Sequence, residues 1–223
     1  MHEKEKIKKN MKPPLIVITG PTASGKSSLA LELANKLALE IIGCDSVQVY
    51  KGFDIGSAKP SLFERQKVPH HLIDLRSSDK PLNVSDYAKL ARQKITEIRK
   101  RGNIPIIVGG SLLYLRALLG EKFHTLPSDP KLRKSFQMRT SAELYSELMK
   151  KDQERAHELH PNDHFRISRA LEIITLSGKT FKELTQTENE TEFEKPSHFF
   201  ILNPKPCIRD KAIKKRIEAM LDQ

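Results

Sequence analysis

The stretch Gly20-Pro21-Thr22-Ala23-Ser24-Gly25-Lys26-Ser27 decides the fold, because it matches the phosphate-loop pattern G-x-x-x-x-G-K-[ST] at every fixed position. Residues 15–19 before it are apolar and mostly β-branched, which predicts a buried strand. Residues 28–39 after it place leucines on one stripe at helical spacing, which predicts a helix. A strand, a loop and a helix in this order point backbone N–H groups and a helix N-terminus at an anion, so the stretch predicts phosphate binding.

Two side chains of the loop add to this chemistry. Lys26 supplies a mobile positive charge, and the hydroxyl of Ser27 is placed to hold Mg²⁺. The alternative is a glycine-rich turn that matches the pattern by coincidence, and it would need neither the flanking elements nor the lysine. The loop alone leaves open which phosphate compound it binds.

The chain has 223 residues and a formal net charge of +11, from 39 Lys and Arg against 28 Asp and Glu. The length predicts one domain with an insertion or a small second domain. A basic excess of this size favours a polyanionic partner such as nucleic acid, because cationic side chains displace counterions from phosphates. A lysine-rich solvated surface explains the charge equally well, so both interpretations stay open at this point.

The cysteines and the N-terminus bear on location. Cys44 and Cys207 are the only cysteines, and they offer neither metal-ligand spacing nor a disulfide framework, so we expect two packed thiols in a reducing environment. No apolar segment resembling a signal peptide follows the basic N-terminus, and residues 15–19 are too few to span a bilayer. These features predict a cytoplasmic protein without a membrane partner.

Residues 13–121 alternate between strand and helix signals, which predicts an α/β fold: a P-loop NTPase-like parallel sheet flanked by helices. Beyond the phosphate-loop unit, the predicted strands are 41–44, 71–74 and 104–108, and the predicted helices are 86–101, with Ser85 as N-cap, and 112–119.

Strand signals vanish between residues 122 and 195, and charge density rises, so we predict an all-helical insertion. Its helices are predicted to start at Pro130 and to cover 142–151, 153–160 and 163–176, the last ended by Gly178. Residues 196–223 are predicted to return to the core as a strand, 198–202, and a final helix, 208–221, and residues 1–12 to form a disordered basic tail.

Asp45 directly follows the second predicted strand. Because ligands bind at the carboxyl ends of parallel strands, we expect its carboxylate to project toward Lys26 and the turn Gly109-Gly110-Ser111. An ionised carboxylate there can accept a proton. The alternative is an aspartate that only caps a local turn.

Several motifs in order along the chain resemble those of one family. They are the phosphate loop, Asp45-Ser46-Val47-Gln48-Val49-Tyr50-Lys51-Gly52, Asp54-Ile55-Gly56-Ser57-Ala58-Lys59-Pro60, Pro69-His70-His71-Leu72-Ile73-Asp74, Val108-Gly109-Gly110-Ser111, His160-Pro161-Asn162-Asp163, Arg166-Ile167-Ser168-Arg169-Ala170-Leu171-Glu172 and Ser177-Gly178-Lys179-Thr180. Together they closely resemble the tRNA dimethylallyltransferase (isopentenyl-tRNA transferase) family, from about Pro14 to the C-terminus.

The resemblance implies a prenyltransferase that moves a dimethylallyl group from dimethylallyl diphosphate to N6 of adenine 37, beside the anticodon of tRNA. The phosphate loop would hold the diphosphate of an isoprenoid and not ATP, with Mg²⁺ as cofactor. By the resemblance, Asp45 takes the N6 proton, Lys26 neutralises the leaving group, and Ser111, where the family usually has threonine, orients the amine or a phosphate oxygen. The residues implied to bind diphosphate are Gly20, Pro21, Thr22, Ala23, Ser24, Gly25, Lys26, Ser27 and Arg216, with Ser27 as metal ligand.

The resemblance also implies contact with the anticodon stem-loop of tRNA. The residues implied to make it are Asp45, Ser46, Val47, Gln48, Ser111, Arg133, Phe165, Arg166, Ile167, Ser168 and Arg169. The target adenine must swing out of its loop to reach a deep crevice. For the arginines, ion pairs on a helix surface are the alternative, and the i,i+3 spacing of Arg169 and Glu172 suits such a pair.

Other functions stay open. An adenylate isopentenyltransferase would use the same chemistry on a free nucleotide, although the helical insertion and the basic charge favour RNA. A small-molecule P-loop kinase usually needs a carboxylate after a later strand, and the strand 104–108 ends without one. The third alternative is a truncated, inactive chain that holds RNA or diphosphate, because family members are usually longer and the helix 208–221 resembles the start of a segment that continues in them.

The histidines do not predict a zinc site. His70 and His71 point in different directions on a strand, and His157, His160 and His164 lack a completing cysteine or carboxylate. We expect a monomer.

Overall fold

The computed structural model of the chain describes residues 12–120, 127–185 and 193–222. The chain divides into two compact units, one made of Met1–Glu121 and Glu192–Gln223 and the other of Lys122–Thr191. The predicted tail 1–12 lies outside the described residues except for Lys12, which forms an ion pair with Glu194.

Five parallel strands form the sheet of the first unit, which confirms the predicted fold class. They are β1 (Ile16–Thr19), β2 (Leu39–Gly43), β3 (His70–His71), β4 (Ile104–Gly109) and β5 (His198–Ile201). Their spatial order is β3-β2-β4-β1-β5, so β4 lies between β1 and β2. The carboxyl ends of these three central strands therefore meet at one edge of the sheet.

Ten helices lie in the described ranges. They are α1 (Lys26–Ala34), α2 (Leu62–Lys67), α3 (Val84–Lys100), α4 (Leu112–Leu118), α5 (Pro130–Gln137), α6 (Ser141–Lys151), α7 (Gln153–His157), α8 (His164–Ser177), α9 (Phe181–Thr185) and α10 (Pro206–Leu221). None of them is long and apolar enough to cross a membrane.

The central strands are buried on both faces, because alternate side chains of a strand point to opposite sides. Val17 and Ile107 pack on one side with Tyr87 of α3. Ile18 packs on the other side with Ala30 of α1. Apolar runs such as 15–19 thus reflect two cores that share one sheet.

The predicted helix 28–39 is wrong at its end. α1 stops at Ala34, and β2 already begins at Leu39, which is 5% exposed and belongs to the sheet core. Leu37, predicted to lie on the helix stripe, falls between the two elements and is exposed.

Other boundaries differ for local reasons. Asn83, and not Ser85, caps α3, because its side chain accepts a hydrogen bond from the N–H of Asp86. β3 has only two residues, and Leu72 and Asp74 beyond it have positive φ angles of 61° and 55°, which no strand adopts. The short helix α2 was not predicted, although it begins with a capping box.

The described residues of the second unit form helices joined by short turns and contain no strand, as predicted. Leu144 of α6 and Ile167 and Leu171 of α8 are fully buried in its core. Gly178 ends α8 with a left-handed φ of 67°, also as predicted. The helix predicted at 153–160 stops at His157, and α9 was missed.

The two cysteines differ in exposure. Burial raises the pKa of the Cys44 thiol to about 12, so it stays neutral. Cys207 is exposed, so the prediction of two packed thiols is wrong for this residue.

Candidate active site

Two glycines shape the loop between β1 and α1. Gly20 has a φ of 150°, and a Cβ there would lie 2.2 Å from the carbonyl oxygen of Leu202. Gly25 has a φ of 88° at the N-cap of α1. A side chain would strain either position, so the path of the loop into the helix depends on both glycines.

The ammonium of Lys26 lies over this loop. Its Nζ donates to the carbonyl oxygens of Gly20 and Pro21, at 2.9 and 2.7 Å, and to the hydroxyl of Ser24 at 3.4 Å. Burial lowers the pKa of Lys26, the negative charge of Asp45 opposes this, and the positive charge of Arg216 in α10 adds to it. Lys26 therefore lies within electrostatic range of a second cation and of a carboxylate, which suits an anion beside an acid–base group.

Asp45 caps a local turn, and its role as a proton acceptor stays a prediction. Its Oδ1 accepts hydrogen bonds from the backbone N–H groups of Val47 and Gln48, at 2.8 and 3.2 Å, and so caps a turn. Its charge also reaches Lys26. Among the described residues no donor bonds to Oδ2, which leaves one carboxylate oxygen for an incoming proton.

Backbone contacts hold the Asp45 segment against the end of β4. The N–H of Ser111 donates to the carbonyl oxygen of Cys44 at 3.1 Å, and the hydroxyl of Ser111 accepts from the N–H of Ser46 at 2.9 Å. A Cβ at Gly109 would lie 2.0 Å from the oxygen of Cys44. A Cβ at Gly110 would lie 4.0 Å from the Nζ of Lys26. The phosphate loop, the Asp45 segment and the Gly109–Ser111 turn thus converge.

Gln48 is tied to a neighbouring loop. Its side-chain amide donates to the carbonyl oxygens of Ser57 and Ala58, at 3.0 and 3.2 Å. Val47 and Ser46, the other implied tRNA contacts of this segment, are exposed.

Two anchoring residues of the strand ends were missed by the sequence analysis. The hydroxyl of Thr19 donates to the carbonyl oxygen of Gly109 at 2.9 Å. The hydroxyl of the fully buried Tyr87 donates to the carbonyl oxygen of Gly43 at 2.9 Å. A polar threonine directly after three aliphatic strand residues indicated an anchoring role for Thr19. The bond of Tyr87 spans 44 residues of sequence, and no sequence pattern indicated it.

Ser27 fits a magnesium ion in the manner of a phosphate loop. Its side chain is exposed in the first turn of α1, and no hydrogen bond within the described ranges occupies its hydroxyl. The described residues contain no group of three or more His, Cys, Asp or Glu that could hold a metal alone. One protein ligand suits Mg²⁺, which takes most of its ligands from phosphate and water.

Two arginines of the second unit share one buried carboxylate. Arg133 donates to both oxygens of Glu172, at 3.2 and 3.1 Å, and Arg169 donates to its Oε2 at 2.6 Å. The N–H of Asp129 also donates to Glu172, whose side chain is 0% exposed. Burial alone would raise the pKa of Glu172, but the bonds from Arg169, Asp129 and Arg133 lower it. The ion-pair alternative for Arg169 is therefore realised.

The other implied tRNA contacts lie at the start of α8. Ile167 is fully buried and Ser168 nearly so, which directs their side chains into the unit. Phe165 is 76% exposed, and the side chain of Arg166 is 70% exposed while it pairs with Asp163 at 2.9 Å. Phe165 and Arg166 are the members of this stretch that present side chains to solvent.

Comparisons with known proteins identify the family. A family model described as IPP transferase matches residues 48–223. The chain is 39% identical to the tRNA dimethylallyltransferase of Desulfotalea psychrophila, over 95% of this chain and 69% of that protein. It is 42% identical to tRNA dimethylallyltransferase 1 of Trichlorobacter lovleyi, over 95% and 70% of the two chains. The chain belongs to the IPP transferase family.

Solved structures agree with this assignment. The crystal structure of a tRNA delta(2)-isopentenylpyrophosphate transferase from Staphylococcus epidermidis matches with a TM-score of 0.58 and 33% identity, over 95% of this chain and 70% of that one. A eukaryotic dimethylallyltransferase acting on tRNA matches with a TM-score of 0.76 and 32% identity, over 94% and 53%. The implied family, fold class and prenyltransferase class are confirmed, and the roles of individual residues stay predictions.

Proposed function

We propose that this IPP transferase moves a dimethylallyl group from dimethylallyl diphosphate to N6 of adenine 37 in tRNA and releases diphosphate. The relatives named for dimethylallyl transfer to tRNA support the substrate pair. The observation that carries the proposal in this chain is the convergence of the phosphate loop, the Asp45 segment and the Gly109–Ser111 turn: Ser46 donates to Ser111, and a Cβ at Gly110 would lie 4.0 Å from the Nζ of Lys26. The transfer needs groups that bind the diphosphate and a base that takes the proton. We call the first set, Gly20–Ser27 and Arg216, the anion cradle, and we assign Asp45 as the base.

The cradle makes diphosphate a better leaving group. Lys26 and Arg216 hold its negative charge, together with the backbone of Gly20–Ser27. Ser27 would hold Mg²⁺, which supplies further neutralisation of the diphosphate when bound. The bond from C1 of the allyl group to oxygen breaks, and its electron pair leaves with the diphosphate.

Asp45 completes the transfer at nitrogen. A bond forms from N6 of adenine to C1, and the surplus proton of N6 passes to the carboxylate of Asp45. The turn formed by Val47 and Gln48 orients this carboxylate through Oδ1. The hydroxyl of Ser111, which accepts from Ser46, retains its proton to donate to the substrate.

The exposed Phe165 and Arg166 are the best candidates for contact with the anticodon stem-loop, because an aromatic ring stacks on unpaired bases and a guanidinium binds phosphate. Arg133 and Arg169 keep part of their surface exposed, at 45% and 30%, while they pair with Glu172. We propose a cytoplasmic, monomeric enzyme.

Incubation of the chain with unmodified tRNA, labelled dimethylallyl diphosphate and Mg²⁺, followed by nucleoside analysis, tests the proposal. We expect labelled N6-dimethylallyladenosine from position 37. Equal labelling of free AMP would favour an adenylate isopentenyltransferase, phosphoryl transfer from ATP would favour a kinase, and binding without product would favour an inactive chain.

A further inference from the structure

The motif Asp54–Pro60 folds around a buried lysine that none of the proposed roles uses. The side chain of Lys59 is 1% exposed. Its Nζ donates to the carbonyl oxygen of Tyr50 at 2.8 Å, to Asp54 at 2.6 Å and to Asp74 at 2.7 Å. All three ammonium protons are therefore bonded, which offsets the cost of removing the charge from water.

The lysine stays charged in this position. Burial would lower the pKa of Lys59, but the hydrogen bonds to Asp54 and Asp74 outweigh it and raise the pKa. Asp74 also accepts from Arg65 at 2.7 Å. The result is an ionic cluster that joins the motif to the residues after β3.

Both ends of this cluster hold Gln48. The N–H of Asp74 donates to the carbonyl oxygen of Gln48 at 3.1 Å. Ser57 and Ala58, directly before Lys59, accept the side-chain amide of Gln48. Gln48 in turn donates its own N–H to Asp45. A continuous set of contacts therefore runs from the ammonium of Lys59 to the proposed base.

We propose that Lys59 is a positioning residue for the transfer reaction: it holds the Asp45–Gln48 turn in the orientation that aims the carboxylate at N6 of the adenine. This inference rests on the proposed function. Within the described residues, the ammonium of Lys59 bonds to Tyr50, Asp54 and Asp74 and to no residue implied to bind diphosphate, so we expect its removal to change the turn much more than the diphosphate site.

Lys59→Met tests the inference, with Arg101→Met as the matched control. Arg101 donates to the buried carboxylate of Glu40 at 2.9 and 2.7 Å, at the other end of β2 from Asp45. We expect Lys59→Met to lower kcat about 100-fold, because a displacement of about 1 Å at a reacting group has this effect, with the KM for dimethylallyl diphosphate within about threefold. Arg101→Met should keep kcat, and Lys59→Arg should recover part of the loss.

A loss of kcat in Lys59→Met no larger than in Arg101→Met, at equal folded fraction, would overturn the inference. If Lys59→Met does not fold, Asp54→Ala decides, since the Asp54 side chain is 67% exposed and its removal spares the core. We expect a several-fold lower kcat for Asp54→Ala with the KM for the diphosphate unchanged, and an unchanged kcat would contradict the role of Lys59.

Hydrogen exchange separates this inference from the proposed function, because it needs no activity. The backbone N–H groups of Val47 and Gln48 should exchange at least tenfold faster in the Lys59 or Asp54 variant than in the parent, while those of the loop at Lys26 keep their rates. Unchanged exchange at Val47 and Gln48 would overturn the inference. An inactive parent with the expected exchange pattern would instead refute only the proposed function.

Discussion

The cations implied to bind diphosphate and those implied to bind tRNA differ in their partners. Among the first, Lys26 donates only to uncharged oxygens within the described residues, and Arg216 forms no ion pair there. Among the second, Arg133 and Arg169 both pair with the buried Glu172. A cation without a carboxylate partner can bind a phosphate at full strength, whereas a shared one has its charge largely neutralised. The net charge of +11 already subtracts Glu172, and it does not show which cations remain available to a polyanion.

The largest effect is expected for substitution of Asp45, the proposed general base in the first unit. Asp45→Asn keeps the shape of the side chain and removes its ability to take a proton, so turnover should fall by about 10³-fold with little loss of tRNA affinity. Single-turnover transfer and tRNA binding measured on the same preparation check this. Parental turnover in Asp45→Asn would refute the assigned role.

The shared carboxylate of the second unit comes next. Glu172→Ala leaves two arginines beside an empty buried site and should destabilise this unit by about 3 kcal/mol. Because the folded pKa of Glu172 is lowered, its stabilisation is complete above its unfolded pKa and is lost as the pH falls through the folded pKa. Denaturant unfolding at neutral and acid pH measures both effects. A variant whose stability loss is the same at acid pH as at pH 7 would mean that the charge of Glu172 is unimportant.

A smaller effect is expected at the cradle. Lys26→Ala removes one of two cations, so diphosphate binding should weaken by about 10- to 100-fold, as expected for one charge-assisted contact. Calorimetry with inorganic diphosphate and Mg²⁺ gives the dissociation constant. A constant equal to that of the parent would place the anion elsewhere.

The smallest effects are expected for tRNA binding when Arg166 or Arg169 of the second unit is replaced. Arg166→Ala should weaken tRNA binding a few-fold and reduce its salt slope by about one unit, as for loss of one phosphate contact. Arg169→Ala should change the slope less, because Arg169 pairs with a fully buried carboxylate, whereas the pair of Arg166 with Asp163 is exposed and screened by water. Equal slopes for the two variants would show that ion pairing in the free protein does not decide which arginine meets RNA.

Sequence reasoning reached the fold and the convergence of three site segments because both depend on local patterns. The phosphate loop, its flanking elements and an aspartate after a strand are short-range signals with known geometry. It could not place the amide of Gln48 on the carbonyl oxygens of Ser57 and Ala58, since backbone acceptors carry no residue-specific signal. The i,i+3 spacing of Arg169 and Glu172 indicated an ion pair. Nothing in the sequence indicated that Arg133, 39 residues away, donates to the same carboxylate.

The close approach of Gly109 to Cys44 has a consequence for how the enzyme tolerates mutation. A single additional carbon at Gly109 would collide with main-chain atoms, so the spacing between these two segments is set by peptide geometry and not by side-chain volume. Substitutions deep among the aliphatic residues can lower the melting temperature without changing the spacing between Gly109 and Cys44. The position of the Asp45 segment relative to the end of β4 therefore depends little on side-chain volume elsewhere in the interior.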